Sequence, residues 1–177
     1  MPTPDATKPP ASAAPSSSFA PLRQPVFAII WAATVLGNTG SFMRDVASSW
    51  LVTDLSGSPA AVSLVQAAGT LPIFLLAIPA GVLSDILDRR RFLIAVQILL
   101  AAVSATLMLL SYGGLLTVGL LVGLTFVGGV GAALTGPTWP AIVPELVPKS
   151  DIKNAMALNS LGINIARSIG PAAGGLL

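Results

Sequence analysis

The sequence predicts an all-α integral membrane protein, a bundle of five transmembrane helices. Of the 177 residues, 54% are hydrophobic and only 9% are charged, whereas about 25% are charged in a typical soluble domain. Apolar stretches of roughly 20 residues, long enough to cross a bilayer as helices, recur along the chain. Basic residues fall in every second connection between these stretches. A single large soluble domain would need more charge to cover its surface.

The N-terminal segment is unlike the rest of the chain. Residues 1–24 are rich in Pro, Ser and Ala. They have no continuous apolar run of the kind that a signal peptide carries, and they cannot bury enough apolar surface to fold. We therefore expect a disordered cytoplasmic tail, followed by the transmembrane bundle over residues 25–177.

The first three spans follow from their apolar runs. Span one covers about residues 25–52 and ends before the Ser-Gly-Ser-Pro turn at 56–59, because Gly and Pro interrupt helices. Span two covers about 60–83. Span three, the cleanest apolar run, covers about 92–110 and is separated from span two by a short charged loop.

The last two spans are punctuated in the same way. A Tyr-Gly-Gly turn at 112–114 precedes the Gly-rich span four, at about 115–143. A polar link at 145–153 leads to span five, at about 154–177. The sequence reaches Leu177 within this span, so we expect the N-terminal part of a longer protein.

The loops predict the orientation of the bundle. Short loops rich in Lys and Arg remain on the cytoplasmic side of a membrane. The connections after spans one and three contain neither residue type, so a single orientation places all basic loop residues on one side. This predicts a multi-pass protein with a cytoplasmic N-terminus, and the residues that set it are Lys8, Arg23, Arg89, Arg90, Arg91, Lys149 and Lys153.

Several function classes are excluded by composition. The chain has no Cys and no His, so it offers no disulfide, no catalytic Ser/His or Cys/His set and no usual zinc ligands. We expect no metal, no cofactor and no enzymatic activity. No phosphate-binding G-x-x-x-x-G-K-[ST] loop occurs. The basic residues are distributed among loops rather than gathered in one stripe, which argues against a nucleic-acid partner.

The charged loop after span two is the most informative segment. Its sequence runs from Gly81 to Arg91 as GVLSDILDRRR. Asp85 and Asp88 lie near the C-terminal end of span two, where the helix dipole disfavours negative charge by roughly 0.3–1 kcal/mol. They therefore need partners, either the arginines at 89–91 or the N-terminus of another helix. The alternative is that the arginines only set the topology.

This loop resembles the signature of the major facilitator superfamily, G-x-L-x-D-R-x-G-R-R, between the second and third helices. Ile86 and Asp88 depart from that pattern. Other segments resemble the enterobactin-exporter and macrolide-efflux branch, and the resemblance covers residues 25–177. The matching positions are Gly81, Leu83, Asp85, Arg89 and Arg90, with the segments Gly37–Gly40, Gly136–Pro140, Pro144–Val147 and Asn164–Pro171.

The resemblance implies a transporter of twelve helices in the bacterial inner membrane, of which this chain supplies less than half. It implies proton-coupled efflux of an amphipathic small molecule, a drug or a siderophore, by alternating access. The expected partners are the substrate, protons, the lipid bilayer and the C-terminal half of the same transporter. Gly81, Asp85, Arg89 and Arg90 would form a conformational latch between the two halves.

The end of span five resembles an antiporter signature, G-x-x-x-G-P-x-x-G-G, with Ala166 in place of its first glycine. Pro171 cannot donate a hydrogen bond to the carbonyl of Arg167, so the helix can kink there. Small residues at 166, 170 and 174 allow another helix to approach closely. Gly170, Pro171 and Gly174 therefore predict either an antiporter-type kink or ordinary small-residue packing.

Three charges lie within predicted spans, at Arg44, Asp45 and Arg167. A charge at the bilayer centre costs about 2.5–3.5 kcal/mol on insertion scales, so such residues usually face a cavity or a partner. Asp45 shares a helix face with Asn38. We expect Asn38, Asp45 and Arg167 to line the coupling or substrate pathway, with Arg167 holding Asp45 or an anionic substrate group. We expect Arg44 to reach the outer interface without facing Asp45.

Two other hypotheses remain open. The chain could be a non-transporting membrane scaffold, although a scaffold gains little from intramembrane charge, or an inactive truncated fragment of a transporter. A faint three-helix repeat is also present, in which Gln66–Gly69 corresponds to Asn159–Gly162. Gly-rich helices resemble one another easily, so this repeat is not decisive.

Overall fold

The structure, a computed structural model, describes residues 17–175. This part of the chain is helical and contains no strand, which confirms the all-α prediction. Short 3-10 helices at Ala20–Arg23 and Lys149–Asp151 precede the first and last long helices. Of the predicted tail, residues 1–16 lie outside the described range. The long helices are α1 (Pro25–Ser56), α2 (Pro59–Ile86), α3 (Arg89–Tyr112), α4 (Val118–Leu146) and α5 (Ile152–Gly174).

The helices start and end at recognisable local signals. Pro25 and Pro59 occupy the first positions of α1 and α2, where the missing N–H is not needed. Gly57 ends α1 in the left-handed conformation, with φ of 52°. The side chain of Thr117 caps the N-terminus of α4. Most helices extend a few residues beyond the predicted apolar runs, because helical hydrogen bonding continues through polar end residues.

Four of the five helices, α1 to α4, are long and apolar enough to cross a membrane. The fifth, α5, carries Asn, Ser and Arg side chains along its exposed side, which lowers its hydropathy. Large hydrophobic side chains are exposed along α2 and α3, among them Phe74, Ile78 and Ile98. Such exposure suits helices whose outer faces contact lipid.

Two helix pairs, α2 with α4 and α1 with α5, form the most extensive contacts, and α3 packs on α4. The absence of a side chain at Gly129 allows α2 and α4 to approach closely, since a Cβ there would lie only 2.6 Å from the carbonyl oxygen of Gly69. Two buried apolar clusters lie at opposite ends of the bundle. One contains Phe27, Trp139, Ile142, Val143, Val147, Ala155 and Leu158; the other contains Val52, Val65, Val103, Leu107, Leu116 and Leu121.

Small residues of α5 face α1 along the length of their contact. A Cβ at Gly162 would lie 2.6 Å from Val35, and a Cβ at Gly170 would lie 2.6 Å from the Cβ of Phe42. The indole Nε1 of Trp31 donates a hydrogen bond to the carbonyl oxygen of Leu158, at 2.9 Å. Successive residues of α5 therefore meet successive residues of α1, so the two helices run in the same direction.

Candidate functional site

The arginine loop, residues 85–91, is held in a tight turn between α2 and α3. Only two residues separate the helices, because α2 ends at Ile86 and α3 begins at Arg89. Asp88 is the N-cap of α3, and its Oδ1 accepts a hydrogen bond from the backbone N–H of Arg91 at 2.9 Å. Asp88 therefore has the helix N-terminus as its partner, one of the two partners expected for this acid.

Arg89 joins the arginine loop to the distant end of α4. Its Nη2 lies 3.6 Å from Oδ1 of Asp85, one helical turn before it. Its Nη1 donates to Oε1 of Glu145 at the end of α4, and its Nε donates to the carbonyl oxygen of Ser84 at 3.2 Å. One guanidinium thus bridges two carboxylates and two helices. The expected partnership of Asp85 with an arginine is present, with Arg89.

The other two residues of the predicted latch play different parts. Arg90 forms no ion pair among residues 17–175, and its side chain instead lines a groove between α1 and α3. Around Gly81, an added Cβ would have no described neighbour within 4 Å. Sequence reasoning missed Glu145. The sequence indicated Glu145 only as a single acidic residue at the end of span four, on the side of the bundle where the arginine loop also lies.

Arg44 and Asp45 form an ion pair within α1, contrary to what helical spacing predicted. Arg44 Nη2 lies 3.5 Å from Asp45 Oδ1. Neighbouring residues point about 100° apart, but the long arginine side chain bends back to its neighbour. The expectation that Arg44 reaches the outer interface is also wrong. Its side chain is only 10% exposed and lies over Gly128 of α4, where the missing side chain makes room for the guanidinium.

Asp45 has a side chain that is 60% exposed, and polar side chains of α2 and α5 contact residues of α1 within one helical turn of it. One helical turn later, Ser49 accepts a hydrogen bond at 3.4 Å from Nε2 of Gln66 on α2. The Arg167 guanidinium of α5 lies 5.9 Å from the ring centroid of Phe42, three residues before Asp45 on α1. We call Asp45, Ser49, Gln66 and Arg167 the polar face.

The predicted pathway residues lie on α1 and α5, and no ion pair among residues 17–175 joins them. Asn38 is half-buried two helical turns before Asp45 on α1. Arg167 is exposed and contacts α1 through Phe42, but within residues 17–175 it makes no ion pair with Asp45. The cation beside Asp45 is Arg44. Sequence reasoning also missed Ser49 and Gln66, since a Ser or Gln within a span carries little signal by itself.

The end of α5 is packed tightly against α1. A Cβ at Gly174 would lie 3.1 Å from the carbonyl oxygen of Met43. Pro171 lies inside α5, which continues through it to Gly174. Packing therefore accounts for Gly170 and Gly174, and the antiporter-type kink stays a prediction. Residues 17–175 contain no group of three His, Cys, Asp or Glu side chains that could hold a metal ion.

Comparison with known proteins gives a consistent set of relatives. Over 151 residues, the chain is 26% identical to macrolide efflux protein A of Streptococcus pyogenes, covering 85% of the chain and 37% of that protein. It is 28% identical to the staphyloferrin A transporter of Staphylococcus aureus, covering 78% and 35%. It is 30% identical to the multidrug efflux pump Tap of Mycobacterium tuberculosis, covering 88% and 38%. No solved structure matches significantly.

The chain spans less than two-fifths of the length of these relatives. The sequence matches the transmembrane secretion effector family over residues 16–177, which is nearly all of it. The helical bundle, the four membrane-length helices and the arginine loop agree with that match. The chain therefore belongs to the transmembrane secretion effector family of the major facilitator superfamily, a family of multi-pass membrane transport proteins.

Proposed function

We propose that this chain is the N-terminal part of a transporter that exports amphipathic small molecules from the cell in exchange for protons. It would lie in the inner membrane with its N-terminus in the cytoplasm and work by alternating access. The observation that carries this proposal is the exposed carboxylate of Asp45 within the membrane-length helix α1, paired with Arg44. The named relatives are efflux proteins for macrolides and other drugs and a siderophore transporter.

Asp45 is suited to carry the coupled proton. An ionised residue within a transmembrane helix is costly unless it faces a cavity or a partner, and such residues commonly serve proton relays. Asp45 has such a partner, since Nη2 of Arg44 lies 3.5 Å from its Oδ1, and its side chain is 60% exposed. Protonation would neutralise Asp45 and weaken its attraction to Arg44. This links the proton to the packing of α1 against α4.

The arginine loop is suited to hold one conformation of the transporter. Arg89 ties α2 and α3 to α4 at the ends of these helices through Asp85 and Glu145. In alternating access, two helix bundles rock about a site near the bilayer midplane. A charge cluster at the helix ends can break and reform during that motion without disturbing the apolar core.

The test is proton-driven efflux in everted membrane vesicles that contain the full-length gene product. We expect Asp45→Asn to reduce substrate accumulation driven by a pH gradient to the level of vesicles without the protein. Asp45→Glu keeps the carboxylate and should retain part of the activity. Asp151→Asn is the matched control, because this acid lies outside the long helices and its side chain makes no cap hydrogen bond.

Two results would contradict the proposal. If Asp45→Asn left gradient-driven efflux intact, Asp45 would not carry the coupled proton. If the wild-type protein inserted into the membrane and moved none of a panel of macrolides, cationic dyes and siderophores, the scaffold or inactive-fragment hypothesis would be favoured instead.

A further inference from the structure

The side chain of Arg44 is confined where α1 meets α4. It is only 10% exposed, and a Cβ at Gly128 of α4 would lie 3.0 Å from its Cζ and 3.1 Å from its Nη1. The guanidinium therefore occupies space that a larger residue at position 128 would fill. We call this contact of Arg44 with Gly128 the arginine seat. Along both helices it lies between the two buried apolar clusters.

Arg44 has a single partner in the arginine seat. A guanidinium carries five N–H donors, yet the one hydrogen bond that Arg44 makes among residues 17–175 is the 3.5 Å contact of Nη2 with Oδ1 of Asp45. Nη1 is buried and has no acceptor among these residues. Because described atoms already cover Nη1, another part of the protein cannot reach it while Arg44 stays in the seat. Within the described part, Asp45 is thus the sole counter-charge of a nearly buried cation.

The other charged groups of the helices around Arg44 lie elsewhere. The one titratable residue of α4 is Glu145 near its C-terminal end, and that of α2 is Asp85, also near its C-terminal end. On α5, Arg167 lies beside Phe42 and pairs with no carboxylate among residues 17–175. The remaining titratable side chains of the long helices lie in the first or last turn of α1, α3 or α5; they are Asp54, Arg89, Arg90, Arg91, Tyr112 and Lys153. No second acid of these helices is placed to neutralise Arg44.

A proton on Asp45 would remove this counter-charge. A buried cation that loses its partner is strongly unfavourable, because nothing then compensates the charge. Arg44 would have to leave the seat to find water or another partner, and α1 would repack against α4. We propose that Arg44 is the positioning residue that transmits a proton on Asp45 to α4, because it stays on Gly128 only while Asp45 is ionised. This inference rests on the proposed proton-coupled export and deepens it.

Distance measurements by pulsed electron paramagnetic resonance test this proposal without requiring a substrate. The sample is the purified full-length protein in lipid nanodiscs, with any cysteine outside these 177 residues replaced by serine. Spin-labelled cysteines replace Ser56 at the end of α1 and Gly119 near the start of α4, both of which are exposed. Asp45→Asn, which mimics the protonated acid, should shift the distance between the labels by about 2 Å, the scale of helix movements at packed interfaces. The shift should be absent when Arg44→Gln is already present, because no cation then depends on the acid.

Further variants separate the seat from the charges. Gly128→Val keeps both charges but fills the seat, so it should shift the distance in the same direction as Asp45→Asn. Gly123→Val is the matched control, because an added Cβ there meets no described atom within 4 Å. Arg167→Gln is the control for charge, and Asp45→Asn should still shift the distance in its presence. Arg44→Lys keeps a cation and should retain part of the response. A single symmetric peak in size-exclusion chromatography checks that each variant is folded.

Three results would overturn the proposal: no shift with Asp45→Asn, the same shift whether or not Arg44 is replaced, or a shift with Gly128→Val no larger than that with Gly123→Val. Efflux driven by a pH gradient in vesicles distinguishes this failure from failure of the proposed function. If such efflux is absent while the distances respond as expected, the proposed function is overturned and the charge-dependent contact stands. If efflux is intact while Arg44 does not affect the shift, proton coupling stands and Arg44 does not transmit it.

Discussion

Arg89 shows how one side chain can connect distant parts of a helical bundle at small energetic cost. It is 29% exposed, and its partners Asp85 and Glu145 are 74% and 55% exposed. Ion pairs this accessible to water contribute at most about 1 kcal/mol each, because solvent screens them. The cluster is therefore too weak to hold the fold together, and weak contacts of this kind can open and close during a transport cycle.

Glu145→Gln tests this role at the residue scale. The change keeps the shape of the side chain and removes its charge, so the free energy of unfolding should fall by no more than about 1 kcal/mol. The rate of substrate efflux should fall by more than this small loss of stability explains, because the ion pairs of Arg89 would no longer hold the ends of α2, α3 and α4 in one conformation. Thermal unfolding in detergent and efflux in vesicles measure the two effects.

The same control, Asp151→Asn, should change neither quantity. If the stability of Glu145→Gln fell while efflux per folded molecule stayed normal, the cluster would be a structural tie and the latch role would be rejected. Asp85→Asn is informative beside it, since both acids contact the same guanidinium.

At single residues, the sequence predicts partnerships where local chemistry decides them. Asp88 was expected to find an arginine or a helix N-terminus, and it caps α3. Arg44 was misjudged, because its position depends on a missing side chain in another helix. Helical spacing within α1 contains no information about Gly128, and only the packing of α1 against α4 brings the two together.

The glycines of α5 act at the scale of the helix. Gly162, Gly170 and Gly174 all meet α1, and at each of them an added Cβ would lie 3.1 Å or less from an atom of α1. In a membrane, close backbone approach replaces the hydrophobic effect as a source of helix association. The pairing of α5 with α1 therefore depends on the absence of side chains at these positions.

Gly170→Ala should weaken this pairing. Its methyl group would lie 2.6 Å from the Cβ of Phe42 and 2.9 Å from the carbonyl oxygen of Thr39, so the helices must separate. Overpacking of this kind costs about 1–3 kcal/mol. The measurement is the midpoint of thermal unfolding in a mild detergent.

The matched control is Gly123→Ala in α4, where an added Cβ meets no described atom within 4 Å. Alanine is the better helix former by up to about 1 kcal/mol, so this variant should be as stable as the wild type or slightly more stable. Equal stability of the two alanine variants would contradict the close α1–α5 contact.

Element types were predictable from the sequence, and element partners were not. Apolar runs located each of the five helices, because about 20 apolar residues suffice to identify a span. The runs do not specify which helix packs on which. The association of α1 with α5 and of α2 with α4 is a property of matched surfaces on both members of each pair. This pairing agrees with the faint three-helix repeat. If α1 corresponds to α4 and α2 to α5, the contact of α1 with α5 corresponds to the contact of α4 with α2.

At the scale of the whole molecule, the packing of α5 against α1 bears on whether α5 crosses the membrane. Its hydropathy is too low for it to count among the membrane-length helices. It nevertheless runs in the same direction as α1 and contacts α1 from Trp31 to Val46. We expect a helix that follows a spanning neighbour over this length to cross the same bilayer, and we predict that its polar side chains face the interior of the transporter.

Cysteine labelling tests this arrangement, because the chain contains no cysteine of its own. Single cysteines would replace Ser56 at the C-terminal end of α1, Lys149 before α5 and Gly175 after α5, all of which are exposed. A membrane-impermeant maleimide added to intact cells should label the first and third positions. It should label the second only after the cells are permeabilised, because Lys- and Arg-bearing connections remain in the cytoplasm. If only the second position were labelled in intact cells, the bundle would have the opposite orientation to the one predicted. If the third position behaved like the second, α5 would not cross the membrane, and its polar residues could not line a transport pathway.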